Sequence, residues 1–389
     1  MAEIYLDNSA TTRICDEALE KYREVSLSEY GNPSSLHALG FQGEKILKDA
    51  RRELLSSLGA VGGAVVFTAS GSEANNLAII GRALSKERYK GKKIITTDGE
   101  HASVGEPCRR LAEMGFNVVK IPTRGGKLDT DSLIREMTPD VILVTMMMVN
   151  NETGAFYDIS GTARLMKQKS PEAVMHVDAT QSYMKLPFTK ASLGADMITV
   201  SSHKIEGPKG VGALIIDEGL MKTKGLSPLI LGGGQEGGLR SGTENVPGIA
   251  AFAEAIKIGR ASLSERCAYI NGLRDYLIEK FSTSPDLSEI KLTLPERHAP
   301  HILNITLPGI KSETMLHHLS SKGIYVSSGS ACSSNSRHVS SALVAYGHTV
   351  SEADSSLRIS LSHRNTREEL DEFLSVLADG LMRLARGKR

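Results

Sequence analysis

Short apolar runs alternate with longer stretches of helical periodicity over residues 61–217 of the chain. Runs of four to nine residues rich in Val, Ile and Thr predict buried strands, and the stretches between them predict amphipathic helices. Because helices separate successive strands, we expect a mainly parallel sheet with helices on its faces. The predicted strands are 65–68, 93–97, 118–121, 141–149, 175–178 and 197–201, and the helices between them include 74–85 and 160–169.

The pattern changes after a glycine-rich stretch at residues 232–242. Helical periodicity there extends over much longer segments, and fewer strands follow. We therefore predict a large domain over residues 15–258 and a smaller α/β domain formed by residues 1–14 and 259–389. The later elements are predicted as helices at 246–260, 263–281, 312–322 and 366–386 and strands at 301–307 and 357–361.

Charge and hydropathy exclude several classes of partner. The 389 residues carry 46 Lys and Arg against 45 Asp and Glu, so no overall field favours nucleic acid or an anionic membrane. The longest apolar run, 141–149, is far shorter than a membrane span, and the first residues lack the basic and apolar regions of a signal peptide. We expect a soluble, cytoplasmic protein that binds neither nucleic acid directly nor a membrane.

The four cysteines are widely scattered and form no C-x-x-C pair. This spacing argues against a disulfide framework and against a metal site. Cys108 and Cys267 lie in helical patterns, where a small apolar residue is the usual explanation, and Cys15 lies where a helix begins. Cys332 differs, because the small residues of SSGSACSS surround it and suggest a mobile tether.

Two segments are candidate phosphate sites. In VVFTASGSEANNLAII (65–80) a strand, a Ser/Gly turn and a helix follow one another, so the helix N-terminus could bind an anion, although a turn capped by Ser70 or Ser72 would look the same. LILGGGQEGG contains G-x-G-x-x-G, but its helix begins too late for a dinucleotide site, and no Walker A sequence occurs. A different phosphate-bearing cofactor is favoured.

Asp178 and Lys204 end two successive predicted strands, 26 residues apart. Taken separately, each is explained as a turn residue or a solvated lysine. Taken together, they match the needs of pyridoxal phosphate, which requires a lysine for a Schiff base and a carboxylate for its pyridinium nitrogen. His101 and Asn151 follow two other strands, where one could stack on the cofactor ring and the other could hydrogen-bond it, although both also suit ordinary turns.

These segments resemble a known family. In order, the chain contains YLDNSATT, GNPSSLH, SGSEANN, EHASV, VNNETG, HVDATQS, SSHKIEGPKGVGAL, GGGQEGGLRSGTENVPGI, SSGSACSS and LRISLS. This series resembles the pyridoxal-phosphate-dependent cysteine desulfurases of the NifS/IscS type, and the match covers essentially the whole chain. The resemblance implies the aspartate-aminotransferase fold and a homodimer with active sites near the subunit interface.

The resemblance also implies residue roles. Lys204 resembles the Schiff-base lysine, Asp178 the pyridinium partner and Cys332 the cysteine that receives sulfur. Further cofactor contacts implied are Gln181, Asn151, His101, Gly71, Ser72, Ser201 and His203, with Thr243 reaching the phosphate from the partner subunit. Arg358 and the nearby Asn32 would bind the substrate, and the alternation of LRISLS independently places Arg358 on the polar face of a strand.

The implied reaction converts L-cysteine to L-alanine and leaves a persulfide on Cys332, with His101 or another base helping to ionise the thiol. The sulfur would pass to an acceptor protein, either an iron–sulfur scaffold or a tRNA thiolase. An aminotransferase, a selenocysteine lyase and a non-catalytic scaffold protein remain alternatives. Ser72 replaces a usual threonine, the residues after Cys332 match less closely, and the chain stops at ARGKR without the tail by which some relatives hold a scaffold protein.

Overall fold

The computed structural model describes residues 3–60, 62–86, 91–328 and 339–386. Within these ranges the strands are β1 Ile4–Tyr5, β2 Ala64–Thr68, β3 Lys93–Thr97, β4 Asn117–Ile121, β5 Val141–Met147, β6 Val174–Asp178, β7 Met197–Ser201, β8 Gly212–Ile216, β9 Lys291–Thr293, β10 Ile302–Thr306, β11 Ile324–Tyr325, β12 Ser327–Ser328 and β13 Ser356–Ser360.

The helices of the same ranges are α1 Asp16–Ser28, α2 Ala38–Ser57, α3 Gly71–Leu84, α4 Ala102–Glu113, α5 Thr130–Glu136, α6 Ile159–Lys169, α7 Lys190–Leu193, α8 Glu218–Lys222, α9 Val246–Ala261, α10 Leu263–Thr283, α11 Ser312–Ser320, α12 Ser341–Tyr346, α13 Val350–Asp354 and α14 Arg367–Arg386. Short 3-10 helices occur at Arg124–Gly126, Ser202–Lys204, Glu236–Gly238 and Pro285–Leu287.

The central sheet has seven strands in the order β2-β8-β7-β6-β5-β3-β4. β8 pairs antiparallel with both of its neighbours, and the other six strands share one direction. The carboxyl ends of these six strands therefore lie along one edge, where ligands gather in sheets of this kind. Apolar side chains pack on both faces of the sheet, in one cluster that includes Val144 and Ile198 and another that includes Ile94 and Leu214.

A second hydrophobic core lies around the smaller sheets. β12, β13, β10 and β9 form a four-stranded antiparallel sheet, and β1 pairs in parallel with β11. Ile4 and Leu6 are buried in this core together with apolar residues of α10, α11 and α14. The first residues of the chain therefore pack with its last third.

The predicted α/β class and the mainly parallel sheet are confirmed. Each strand predicted from apolar runs is present within a few residues. β8 was not predicted, because its sequence GALII follows a segment rich in glycine, lysine and proline that suggested a loop. The domain limits 15–258, with 1–14 and 259–389 as the smaller domain, stay a prediction. No helix within the described ranges is both long and apolar enough to cross a membrane.

Candidate active site

A cavity of about 490 Å³ lies at the carboxyl edge of the central sheet. Residues that follow β2, β3, β5, β6 and β7 line one part of it, which we call the sheet side. Asp7, Ser327 and Arg358 line the remaining part, which we call the arginine side. Most of the predicted site residues meet in this one cavity: Gly71, Ser72, His101, Asn151, Asp178, Gln181, Ser201, His203, Lys204 and Arg358.

Asp178 ends β6 at the floor of the sheet side and is buried. One of its carboxylate oxygens accepts a hydrogen bond from Asn75 Nδ2 at 2.8 Å, and the other accepts one from the Thr180 backbone N–H at 2.9 Å. Two donors fix the orientation of the carboxylate. Asp178 therefore presents a fixed negative group to the cavity.

Lys204 follows β7 in a single 3-10 turn. Its Nζ donates to the backbone carbonyl oxygens of Ser9 and Ala10, each at 2.6 Å. Gln181 Nε2 donates to the same Ser9 oxygen at 2.9 Å. The YLDNSATT segment thus crosses the cavity and holds the lysine amine with its main chain, a role that the motif alone did not reveal.

The turn between β2 and α3 has the features of an anion site. Ser70 Oγ caps the helix by accepting from the Glu73 N–H at 3.1 Å, so the cap is Ser70 rather than Ser72. A Cβ on Gly71 would lie 3.2 Å from Ser201 Cβ, so the backbone of this turn approaches Ser201 closely. Ser201 Oγ is buried and has no hydrogen-bond partner among the described residues.

His203 lies beside this turn, and its Nδ1 is 3.1 Å from Thr11 Oγ1. Burial, with smaller contributions from the charges of Lys204, Lys209 and Lys185, lowers the pKa of His203 to about 4. The ring is therefore neutral at physiological pH, and it can contact an anion as a hydrogen-bond donor only through a protonated ring nitrogen.

His101 is the N-cap residue of α4, and its ring lines the cavity. Nδ1 accepts from the Ser103 backbone N–H at 3.1 Å and lies 2.8 Å from Ser103 Oγ. Burial lowers the pKa of His101; Asp178 opposes that shift, and Lys204 and Arg358 add to it. Glu100, the preceding residue, accepts from the Met147 backbone N–H and so fixes the connection between β3 and α4 to the end of β5.

The arginine side is built on β13, which belongs to the second core. Arg358 Nη2 donates to Asp7 Oδ1 at 2.8 Å, and Nη1 donates to the Asn151 carbonyl oxygen at 2.9 Å. Arg358 Nε is buried and has no partner among the described residues. Two bonds orient the guanidinium, and Nε remains available to a carboxylate ligand.

A charged cluster lies directly behind Lys204. Glu206 pairs with Arg266 and Arg364, and Lys185 lines the small cavity next to it. Burial lowers the pKa of Lys185 to about 7, and the charge of Lys204 contributes in the same direction. Lys204 is thus not the only amine near the site, but it is the one that lines the large cavity.

Two predicted residues, Asn32 and Thr243, do not line the cavity, and a third, Cys332, is not described. Asn32 is exposed, and its side chain accepts from the Ser34 N–H, so it does not line the cavity of this single chain. Thr243 is also exposed and outside the cavity, as a residue that serves the partner subunit would be. Cys332, and the predicted poor order of its loop, lie outside the described residues. The roles of all three stay predictions.

The sequence reasoning missed Asp7, Ser9, Ala10, Asn75 and Ser103. The first three belong to YLDNSATT, whose polar residues directly follow a short apolar pair, the same strand-end signal that identified Asp178. Asn75 and Ser103 lie within SGSEANN and EHASV, but neither directly follows a predicted strand, so nothing in the sequence placed them in a site. Only the packing of α3 against α4 brings them together.

Comparisons with known proteins agree with this geometry. The family model described as aminotransferase class-V matches residues 4–373. A cysteine desulfurase IscS from Dictyoglomus turgidum is 37% identical over 377 residues, which cover 96% of this chain and 93% of that protein. The chain belongs to the class-V aminotransferases, among the cysteine desulfurases of the NifS/IscS type.

Two solved structures extend the likeness to three dimensions. A NifS-like protein is 34% identical with a TM-score of 0.90, and the match covers 98% of this chain and 100% of that one. SspA in complex with cysteine is 28% identical with a TM-score of 0.77, and the match covers 94% of this chain and 100% of that one. The predicted cysteine desulfurase family and the fold class are thereby confirmed.

Proposed function

We propose that this cysteine desulfurase family member uses pyridoxal phosphate to convert L-cysteine to L-alanine and carries the released sulfur as a persulfide on Cys332. The observation that carries the proposal is the single cavity in which Lys204 and Asp178 face Arg358. An amine and a fixed carboxylate suit the cofactor, and an arginine suits the carboxylate of an amino acid.

The residues of the sheet side fit the cofactor. Ser201 Oγ is a buried hydroxyl beside the N-terminus of α3 for which the described residues provide no hydrogen-bond partner, and a phosphate oxygen would satisfy it. Ser72 and His203 would complete the phosphate site, together with Thr243 of the partner subunit. Asp178, Gln181, Asn151 and His101 would hold the ring, and Lys204 would be the residue that binds it covalently.

The cofactor, when bound, supplies an electron sink for the electrons released at the substrate Cα. Arg358 orients the substrate through its carboxylate, with Asn32 as a further predicted contact. Lys204 Nζ is the atom that takes the proton from the substrate Cα, because it is the amine of the large cavity. In the structure, the carbonyl oxygens of Ser9 and Ala10 accept hydrogen bonds from that amine.

Cys332 is within reach of the cavity by chain length. Ser327 lines the arginine side, and Ser340 Oγ donates to Glu152 Oε2 at 2.5 Å, next to Asn151. The described residues before the intervening segment thus line the cavity, and those after it are hydrogen-bonded to the residue next to Asn151. Three residues separate Ser328 from Cys332, and the four Cα-to-Cα steps between them span at most about 14 Å, so the chain is short enough to keep the thiol within reach of the substrate.

The sulfur step involves two cysteines, Cys332 and the substrate, and its bonds and electrons balance between them. The Cys332 thiolate forms an S–S bond with the substrate sulfur as the bond from that sulfur to Cβ breaks, and the electrons of the broken bond pass to the carbon side. Protonation of the three-carbon product gives alanine. An unperturbed thiol has a pKa of about 8.5, so ionisation of Cys332 needs help from its surroundings.

Exposed apolar side chains support a homodimer. Leu27, Tyr30, Leu36 and Leu231 are each more than two-thirds exposed in the single chain. Exposed apolar side chains that adjoin one another usually mark an interface, and Leu27, Tyr30 and Leu36 fall within one stretch of ten residues. We propose that a second copy covers it in the cytoplasm, and that the sulfur then passes to an acceptor protein for iron–sulfur cluster assembly or tRNA thiolation.

The test is alanine formation from L-cysteine by the holoenzyme in the presence of a thiol reductant. Wild-type enzyme forms alanine and sulfide in equal amounts, and Cys332→Ala loses both. Cys267→Ala is the matched control and keeps both, because Cys267 lies on α10 away from the large cavity. Full turnover by Cys332→Ala would overturn the sulfur step, and absence of alanine with the wild type would overturn the function.

A further inference from the structure

Asn75 and Ser103 connect two groups that the proposed function uses, Asp178 and His101. Asn75 Nδ2 donates to Asp178 Oδ2 at 2.8 Å and to Ser103 Oγ at 2.8 Å. Ser103 Oγ in turn lies 2.8 Å from His101 Nδ1. The two hydrogens of one amide thus begin a chain of hydrogen bonds that runs from the carboxylate to the imidazole.

The carboxylate sets the direction of this chain. An Asn75 amide turned the other way would place its oxygen against the Asp178 carboxylate, which is unfavourable because both groups are acceptors. Nδ2 therefore faces Asp178 and Ser103, and Asn75 Oδ1 is left buried without a partner among the described residues. Since Ser103 Oγ already accepts from Asn75, its own hydrogen is available to donate to His101 Nδ1.

The backbone of Ser103 settles the state of the imidazole. A main-chain N–H can only donate, and that of Ser103 points at His101 Nδ1 at 3.1 Å. Nδ1 therefore carries no proton, and in the neutral ring the proton is on Nε2. The ring lines the cavity, so Nε2 is the nitrogen left to meet a ligand.

We propose that Asn75 and Ser103 are positioning residues that hold His101 as a neutral imidazole with its proton on Nε2. This inference rests on the proposed function, and it gives His101 a definite task there. With Nδ1 occupied, His101 offers the cavity a hydrogen-bond donor and no free base. The sequence predicted that His101 or another base helps to ionise the Cys332 thiol. In this arrangement neither nitrogen of the neutral His101 ring is free to accept the thiol proton.

The surroundings support the neutral ring independently. His101 lies at the N-terminus of α4, where the helix dipole disfavours a positive charge. Lys204 and Arg358 also face the ring and lower its pKa, and Asp178 alone among its charged neighbours raises it. A neutral imidazole at a helix N-terminus serves other enzymes as an electrophilic donor.

The ring nitrogens can be observed directly. The measurement is ¹⁵N nuclear magnetic resonance of the holoenzyme labelled at histidine nitrogens, with His101 assigned by comparison with His101→Gln. We expect a protonated Nε2 and an unprotonated Nδ1 in His101 between pH 6.5 and pH 8.5. A protonated Nδ1 in the wild type would overturn the proposal.

Variants separate positioning from mere packing. Ser103→Ala removes one of two donors to Nδ1, so we expect a higher pKa for His101 and a fall in kcat of about tenfold. KM for L-cysteine should change much less, because Arg358 is untouched. Ser103→Thr keeps the hydroxyl and should restore both the ring state and kcat.

Asn75→Leu checks the other end of the chain. Because the side chain keeps a similar size, we expect the same direction of change in the His101 signals as in Ser103→Ala. Unaltered His101 signals and kcat in both Ser103→Ala and Asn75→Leu would contradict the proposal. A wild type with the expected ring state but no alanine formation would support the positioning and refute the proposed function, so the two failures are distinguishable.

Discussion

The sheet side and the arginine side of the cavity differ in how their charged groups are held. Asp178 and Lys204 on the sheet side are fixed mainly by neighbouring main chain and by Asn75, within turns that follow parallel strands. Arg358 lies on an antiparallel strand of the second core and is fixed by Asp7 and the Asn151 carbonyl. One side is suited to hold a permanent group, and the other keeps donor capacity for a transient ligand.

The difference suggests that cofactor binding and substrate binding are separable. A change on the sheet side should remove chemistry or cofactor, and a change on the arginine side should weaken the binding of cysteine. The N-terminal segment belongs to both, since Asp7 pairs with Arg358 while Ser9 and Ala10 hold Lys204. The predictions below test this separation, beginning with the largest effect.

Lys204→Ala should give the largest loss, because it removes the amine that moves the substrate proton. We expect alanine formation to fall by roughly 10³-fold or more, the scale of a general acid–base contribution. A cofactor bound covalently to a lysine gives a visible absorption band that borohydride removes, and this band should also disappear. Lys209→Ala is the matched control, since Lys209 is exposed in the same segment. Equal loss in both variants would mean that the segment, rather than the Lys204 amine, matters.

Arg358→Ala should act on binding rather than on the cofactor. Loss of charge-assisted hydrogen bonds of about 2–3 kcal/mol corresponds to a rise in KM for L-cysteine of roughly 30-fold to 150-fold. The visible band should be retained, because no sheet-side residue has changed. Steady-state kinetics and absorption spectra check both points. A lost band with normal KM would show that the two sides are not separable.

Ser201→Ala should weaken cofactor binding without abolishing it. One hydrogen bond to a phosphate contributes about 1.5 kcal/mol, so the Kd for pyridoxal phosphate should rise about tenfold. Titration of the apoenzyme with the cofactor measures this value. Ser202→Ala is the control, because its hydroxyl is also buried but does not line the cavity. A larger effect from Ser202 would contradict the assignment of the phosphate site.

Acidification should destabilise the sheet side slightly. His176, in β6 two residues before Asp178, is fully buried, and burial lowers its pKa to about 4. The ordinary pKa of histidine is about 6.5, so the unfolded chain binds more protons between pH 6.5 and pH 4, and stability falls as pH falls through that window.

The contribution of His176 lowers the free energy of unfolding by about 1 kcal/mol when the pH falls from 7.5 to 5.5. Urea denaturation at the two pH values should therefore show a smaller drop for His176→Gln than for the wild type. An identical drop would mean that other groups carry the pH dependence, whatever the absolute stability of the variant.

Much of the fold was predictable because apolar patterning is a local property. The apolar runs at 141–149 and 197–201 predict buried strands, and the structure has β5 and β7 at these positions. β8 was not predicted, since a short strand after Gly-Pro-Lys-Gly has no distinguishing pattern. Its position is determined by pairing with β2 and β7. No single segment of the sequence indicates which distant strands pair with one another.

The residues of the candidate site also fall into two groups, those that the sequence predicted and those that it did not. Asp178, Lys204 and His101 were predictable because each follows a strand whose end lies at the ligand edge of the sheet. Asn75, Ser103 and Asp7 were not, because their roles arise from contacts between segments that are distant in sequence. Asp7, for example, lies beside Arg358 only because the chain's first residues pack into the core of its last third.

The central claim is that Cys332 receives sulfur from L-cysteine within this cavity. It is tested most directly by incubating holoenzyme with L-cysteine without reductant, digesting the protein and locating added sulfur by mass spectrometry. We predict one extra sulfur atom on the peptide containing Cys332 and one alanine released per persulfide formed. A persulfide on Cys15, Cys108 or Cys267 instead, or alanine released without any persulfide, would contradict the account.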